Sequence, residues 1–304
     1  MSSLRERILG RLDEMGASPK RALGQNFLVS EGAIERILRA AKGAGGPPPA
    51  AIIEVGPGLG SLTDAILEWG ISVVLIELDR AFAEYWRSRQ PSAPEPGASS
   101  AIAAKPYSVI EADALALDWS SLQLPEGSLL LSNLPYQISS SLVIERSLAP
   151  CGISRMVLMF QKEVAQRLVA RAKTPEYGLL TVIAQAFWDV RSLFEAGPRD
   201  FYPPPSVASR VVEFRRSEPI DRRGRPCPGI DRAAFLRFVK SAFSHRRKLM
   251  ARNLASGFFA GDPGGAGRVA QGLAELGLSA AQARAEELDP AAFVSLFQAT
   301  QARP

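Results

Sequence analysis

The sequence predicts an α/β fold: a mostly parallel sheet with helices on both faces and an antiparallel edge strand, followed by a small all-α domain. Three observations lead there. Short apolar runs alternate with stretches of helical spacing from 51 to 172, the pattern of strands joined by crossover helices. Two late strand-like runs lie close together without a helix between them, which suits antiparallel pairing. From 231 to the end the apolar spacing is helical only.

Each element follows in order. AIIEV (51–55) is a buried strand that runs into GPGLG, and SLTDAILEWG (61–70) has helical spacing. SVVLIEL (72–78) is a second strand and AFAEYWRSR (81–89) a second helix. YSVIEAD (107–113) and SLLLSN (128–133) are the third and fourth strands. SSSLVIERSLA (139–149) is helical, RMVLMF (155–160) is a fifth strand and KEVAQRLVARA (162–172) a helix. GLLTVIAQAFWDVRSLFEA supplies a helix and a strand, and VASRVVEFR the last strand. Beyond them RAAFLRFVKSAF, RRKLMARNLASGF, GRVAQGLAELG and DPAAFVSLFQAT read as helices.

Pro- and Gly-rich breaks divide the chain. The low-complexity stretch 90–106 reads as a surface loop, and SEPIDRRGRPCPGI (217–230) as the domain linker. The expected domains are therefore 1–220 and 229–304. No apolar run is long enough to span a bilayer, and the opening segment MSSLRERILGRLDEMG lacks the apolar stretch of a signal peptide. A soluble, cytoplasmic, monomeric protein is expected.

Composition excludes several chemistries. Two distant cysteines and one histidine give neither a disulfide framework nor a Cys/His zinc site, so no metal is expected. A Ser-His-Asp triad would need His245, which sits in the basic run SHRRK. The formal charge is +5, and the excess is concentrated. Arg222, Arg223 and Arg225 form one cluster; Arg246, Arg247, Lys248 and Arg252 form another on what reads as a solvated helix. Two clusters in one region favour a polyanionic partner.

In an open parallel sheet, ligands bind at the carboxyl ends of the strands. Four groups fall there: Gly56, Gly58 and Gly60 of GPGLG, then Glu77, Asp113 and the run Asn133-Leu134-Pro135-Tyr136. A glycine turn lets backbone approach a ligand, though a tight structural turn accounts for it equally. It is not the dinucleotide fingerprint, because Ser61 occupies the last glycine position. An acid one strand on accepts from ribose hydroxyls, and Asp113 could accept from an adenine amine or cap the next turn. A glycine loop without a phosphate-binding lysine, plus two carboxylates, suits a nucleoside cofactor without phosphates, such as S-adenosylmethionine.

Asn-Leu-Pro-Tyr is chemistry for an aromatic amine. The exocyclic nitrogen of adenine is a poor nucleophile because its lone pair is delocalised into the ring. The Asn133 amide oxygen and the Leu134 carbonyl could accept both amine hydrogens, with Pro135 fixing the backbone. Tyr136 offers a face for a flipped base. Phe201, ahead of three prolines, could hold the opposite face, or could simply belong to the core.

KRALGQNFL (20–28), IIEVGPGLGSLT (52–63), VVLIELDR (73–80), EAD (111–113), NLPYQIS (133–139), FYPPPSVAS (201–209) and AFSHRRKLMARNL (242–254) occur in that order. This set resembles the ribosomal RNA adenine dimethylase family, most closely its bacterial small-subunit branch. The resemblance covers nearly the whole chain. It implies a Rossmann-like S-adenosylmethionine-dependent methyltransferase sheet with a helical C-terminal domain. It also implies double methylation of two adjacent adenosines near the 3′ end of 16S rRNA in an immature small subunit. Asn26, Leu28, Gly56, Gly58, Glu77, Asp113 and Asn133 match cofactor-contacting positions, and Tyr136 and Phe201 match base-stacking positions. The segment around Gln25 would cover the active site. The alternatives are a 23S rRNA dimethylase of the antibiotic-resistance type, or a non-catalytic RNA-binding assembly or transcription factor on the same fold.

Overall fold

A computed structural model describes residues 3–20, 23–43, 47–90, 107–245 and 247–301. Arg246 and the 90–106 loop, apart from Gln90, lie outside the described residues. The chain divides into two compact units. The first comprises Met1–Arg146, Pro150–Ala165 and Arg191–Arg215; the second comprises Ser147–Ala149, Gln166–Val190 and Arg216–Pro304.

The first unit opens with α1 (Leu4–Glu14), which Ser3 and Glu6 close in a reciprocal capping box. Its Leu4, Ile8 and Leu12 are buried. A two-residue strand β1 (Phe27–Leu28) precedes α2 (Glu31–Lys42). The sheet then begins with β2 (Ile52–Val55), α3 (Thr63–Leu67), β3 (Val73–Glu77), α4 (Arg80–Ser88) and β4 (Ser108–Glu111). It continues with β5 (Ser128–Asn133), α5 (Tyr136–Leu148), β6 (Ile153–Gln161) and α6 (Lys162–Leu168). After α7 (Leu179–Phe187) come β7 (Trp188–Ala196), the short β8 (Phe201–Tyr202) and β9 (Ser209–Arg216).

Strand order is β4-β3-β2-β5-β6-β9-β7. β2 pairs in parallel with both β3 and β5, β3 with β4, and β5 with β6. β9 runs antiparallel to β6, so the antiparallel element expected from the sequence is present, with β7 outside it at the edge. The direction in which successive strands are added reverses between β2 and β5, the point where a crevice opens in such folds. The loops after these two strands are GPGLG and Leu-Pro-Tyr.

Two features differ from the sequence reading. β1 pairs antiparallel with β8, Phe27 opposite Tyr202 and Leu28 opposite Phe201, and so joins two distant motifs. Two-residue strands carry no periodicity to read. Arg247 and Lys248 of the basic run are also not in a helix: α8 (Arg232–Ala242) ends before them, and α9 (Met250–Ser256) begins after them. The buried Asn253 explains the break. Its Nδ2 donates to the carbonyls of Ala242 at 2.9 Å and His245 at 3.1 Å, which satisfies the end of α8 from outside the helix.

The second unit packs α7, α8 and α9 with α10 (Gly265–Glu275) and α11 (Pro290–Gln301). Its core is aromatic: Phe235 meets Phe187 at 5.8 Å and Phe297 at 5.5 Å, all edge-on.

Candidate active site

The end of β2 sets the geometry. Gly56, Gly58 and Gly60 all have positive φ, at 68°, 51° and 91°, a region that L side chains rarely adopt. A Cβ on Gly58 would stand 3.0 Å from the Phe27 ring, and one on Gly56 would stand 3.4 Å from Cδ of Pro135. The glycines therefore let β1, the β2 loop and the β5 loop close on one another. Trp86 Nε1 and Arg11 Nη1 hold the loop from behind, donating to the carbonyls of Gly58 (2.8 Å) and Leu59 (2.5 Å).

Glu77, at the end of β3, is buried and accepts from the backbone N–H of Gly58 (3.2 Å) and Asp79 (2.8 Å). Burial pushes its carboxyl up to about 6, against the pull of those N–H groups. Asp113, after β4, is exposed, and its Oδ1 accepts from Leu115 N at 2.9 Å. That bond is the turn cap allowed for in the sequence reading.

Asn133 ends β5 half-buried. Its Nδ2 donates to the carbonyl of Asn26 at 3.0 Å, so the amide is anchored through its nitrogen and offers its oxygen as an acceptor. Leu134 is buried. Tyr136 Oη lies 2.6 Å from the buried Ser209 Oγ, a hydrogen bond that fixes the ring, and burial raises the phenol's pKa.

One cavity gathers Asn26, Gly56, Gly58, Glu77, Asp113 and the run Asn133–Tyr136. Two expected members do not line it. Leu28 is fully buried and Phe201 is 3% exposed; paired with each other across β1 and β8, both belong to the hydrophobic core. The alternative left open for Phe201, membership of the core, is the arrangement found.

The structure adds residues that the sequence reading passed over. Glu54 lies in mid-strand in β2, lines the cavity, and accepts from Thr63 Oγ1 at 2.7 Å. Burial raises it to about 8. A charge inside the apolar run IIEV was the available signal. Asp79 is a buried latch for the segment over the cavity, accepting from Lys20 Nζ (3.0 Å) and Gln25 Nε2 (2.9 Å). Burial opposes ionisation of Asp79, but these donors prevail and lower its pKa.

Among the described lining residues are the carboxylates Glu77 and Asp113, the carboxyl of Glu54 that burial keeps largely protonated, and no Lys, Arg or His. An acidic cavity in a chain of formal charge +5 repels phosphates and accepts a cation. In the second unit, Arg223, Arg247 and Lys248 are exposed. Arg222 also makes internal contacts, its Nη1 donating to the carbonyl of Leu276 at 2.9 Å just beyond α10.

Comparison with known proteins agrees with this architecture. A ribosomal RNA small subunit methyltransferase A from Bdellovibrio bacteriovorus is 47% identical over 98% of both chains. One of the same name from Hahella chejuensis is 36% identical over 81% of this chain and 84% of its own. The crystal structure of a dimethyladenosine transferase from Plasmodium falciparum shares the fold, with a TM-score of 0.65 at 21% identity over 88% of this chain and 95% of that one. The family described as ribosomal RNA adenine dimethylase matches residues 16–262, most of the chain and every element around the cavity, and the chain belongs to that family.

Proposed function

We propose that this chain transfers methyl groups from S-adenosylmethionine to the exocyclic amines of two adjacent adenosines near the 3′ end of 16S rRNA, dimethylating each, in an immature small subunit. It would act in the cytoplasm as a monomer, since one chain carries both the glycine loop and the amine acceptors. The relatives' names support the small subunit as target. The observation that carries the reading is the cavity's charge: carboxylates without a basic residue beside a glycine turn. That lining fits a phosphate-free nucleoside bearing a positive sulfur and disfavours a dinucleotide or nucleotide phosphate.

When bound, S-adenosylmethionine supplies a methyl group on a sulfonium that leaves readily. The protein's own residues do the rest. Gly56 and Gly58 offer backbone at close range, Glu77 accepts from ribose hydroxyls, and Asp113 and Asn26 border the remainder of the ligand. Asn133 Oδ1, with its nitrogen already committed to Asn26, and the Leu134 carbonyl accept the target amine's hydrogens. This favours a pyramidal nitrogen with a free lone pair. Tyr136, held by Ser209, presents its ring to the flipped base. Placement in line supplies most of the rate. The methylated ammonium product is acidic and releases its proton to water, so no side-chain base is required. Arg223, Arg247 and Lys248, together with Arg222 and Arg246, take phosphates of the RNA.

The test is transfer of labelled methyl to unmethylated small subunits, with large subunits as control and the modified nucleotides mapped. Label confined to the two adjacent adenosines near the 3′ end is expected; label on large-subunit RNA, or binding without transfer, refutes the reading. Asn133→Ala should lower turnover by roughly 10²-fold or more, the cost of losing a fixed polar group at the reacting atom. RNA affinity should persist in the same variant, and near-normal turnover would contradict the role given to the amide.

A further inference from the structure

We propose that the first unit carries a second RNA-phosphate face, built on α2 and the sheet edge, at the end of the sheet opposite the methyl-transfer cavity. The proposal rests on the RNA-directed reading above.

The face is a shallow depression lined by Arg36, Arg39, Phe194, Leu193, Glu213 and Arg215. Arg36 and Arg39 stand one turn apart on the exposed side of α2, and Lys42 follows three residues on. Among the described residues no carboxylate forms an ion pair with Arg36 or Arg39, although the exposed Glu35 is on the same helix. The acid within the depression, Glu213, is nearly buried and is paired with Arg215 at 3.1 Å. Arg155 reaches the same corner: its guanidinium donates to the carbonyl of Ala41 near the end of α2, and it lies so close to Gly43 that a Cβ there would collide with it. Three guanidinium groups thus line the depression with one carboxylate, and Arg155 braces the end of α2 beside them.

The chemistry of the face suits phosphodiesters better than a protein partner. The Arg36 guanidinium lies 3.8 Å from the Phe194 ring centroid. A guanidinium seated on a ring face keeps its N–H edges available for phosphate oxygens. Leu193 beside it is 37% exposed and extends the apolar floor.

Register fixes the location. In β6, Met159 pairs with Asn133 of the cavity, while Arg155 pairs with Arg215 of the face. Four residues of strand separate them, about 13 Å at the usual rise. One nucleotide cannot touch both places, but a structured RNA whose target base enters the cavity can.

The experiment measures binding of the purified full chain to small-subunit RNA across a salt series, with S-adenosylmethionine affinity by calorimetry as the fold control. R36Q/R39Q/R215Q should weaken RNA binding at least ~10-fold and reduce the slope of log affinity against log salt by roughly one for each phosphate no longer neutralised, with cofactor affinity unchanged. R36K/R39K/R215K should keep most of the slope. An unchanged affinity and slope in the glutamine variant overturns the proposal. So does a lysine variant that loses RNA as completely as the glutamine one while retaining cofactor, because charge would then not be the binding element. If the substitutions abolish retention on phosphatidylserine vesicles and leave RNA binding intact, the face belongs to a membrane surface instead. Absence of methyl transfer by the unaltered chain would count against the functional reading, and is distinguishable from each of these results.

Discussion

At the scale of single residues, the cavity holds carboxyls that burial pushes in one direction to different extents. Glu54 rises to about 8 and is largely protonated at neutral pH, so it serves as a neutral hydrogen-bonding wall. Glu77 rises only to about 6, because backbone N–H groups stabilise its anion, and is mostly charged at pH 7. Its folded pKa lies above the ordinary 4.5, so the native state without ligand holds that proton more tightly than the unfolded chain. The resulting stability is full below 4.5 and is lost as pH rises through about 6. A ligand whose hydroxyls donate to the anion offsets that loss. S-adenosylmethionine affinity should therefore be flat above neutrality and fall about tenfold per pH unit below about 6. Glu77→Gln should bind weakly throughout and lack the inflection; calorimetry from pH 5 to 8 decides it, and an inflection that survives in the variant belongs to another group. Gly56, Glu77, Asp113 and Asn133 were legible in the sequence because each ends or follows a strand whose direction the apolar pattern reveals. Phe201 was not, because adjacent residues of a strand point to opposite sides. With Phe201-Tyr202 in a two-residue strand, nothing in the sequence says which ring faces inward.

At the scale of elements, long apolar strands and the helices between them were legible, and the ends of helices were not. The run from Phe235 through Arg252 keeps enough apolar spacing to read as two helices meeting in basic residues. In the folded chain α8 stops at Ala242, Arg247 and Lys248 occupy the connection, and Arg252 lies in α9. Asn253, from the next helix, replaces the hydrogen bonds that further helical turns would have made. A tertiary cap of this kind leaves no local signature, since Asn within a helix is an ordinary residue. The consequence is testable. Asn253→Ala strands the buried Ala242 carbonyl and takes one of two donors from the His245 carbonyl, at a cost of about 1–3 kcal/mol. Urea unfolding should show that loss, and protection of the Lys248 N–H, which donates to the His245 carbonyl at 2.9 Å, should fall with it. Stability unchanged within error would mean water caps α8 as well as the amide does. The same connection carries Arg247 and Lys248 in exposed positions, so loosening it should also reduce RNA affinity.

At the scale of the whole molecule, the Pro- and Arg-rich stretch 217–230 marks a change in sequence composition, but three-dimensional packing draws its boundary differently. Gln166–Val190 lies between strands of the sheet along the chain, yet clusters with the C-terminal helices. Composition cannot reveal this, because α7 is apolar enough to suit any core. Its Leu180, Val182, Ile183 and Phe187 are buried. Within the second unit Phe187 meets Phe235 edge-on at 5.8 Å and lies under the Arg232 guanidinium at 4.4 Å. Tyr177 Oη donates to the Leu288 carbonyl at 2.6 Å, and Lys173 N to the Glu286 carbonyl at 2.7 Å. A chain ended at Arg216 keeps α7 and loses those partners. Exposing a large apolar side chain costs about 1.5–3 kcal/mol, and a few of them together rival the ~5–15 kcal/mol that holds a typical domain folded. The 1–216 fragment should therefore aggregate or bind a hydrophobic dye, although it retains every residue of the cavity. The full-length chain nicked at a protease site inserted after Ser217 should behave otherwise: its two pieces should co-elute in gel filtration and separate only in denaturant, because α7 still grips α8 and α11. A soluble 1–216 fragment that unfolds cooperatively and binds S-adenosylmethionine with normal affinity would show that the C-terminal helices stabilise nothing but themselves.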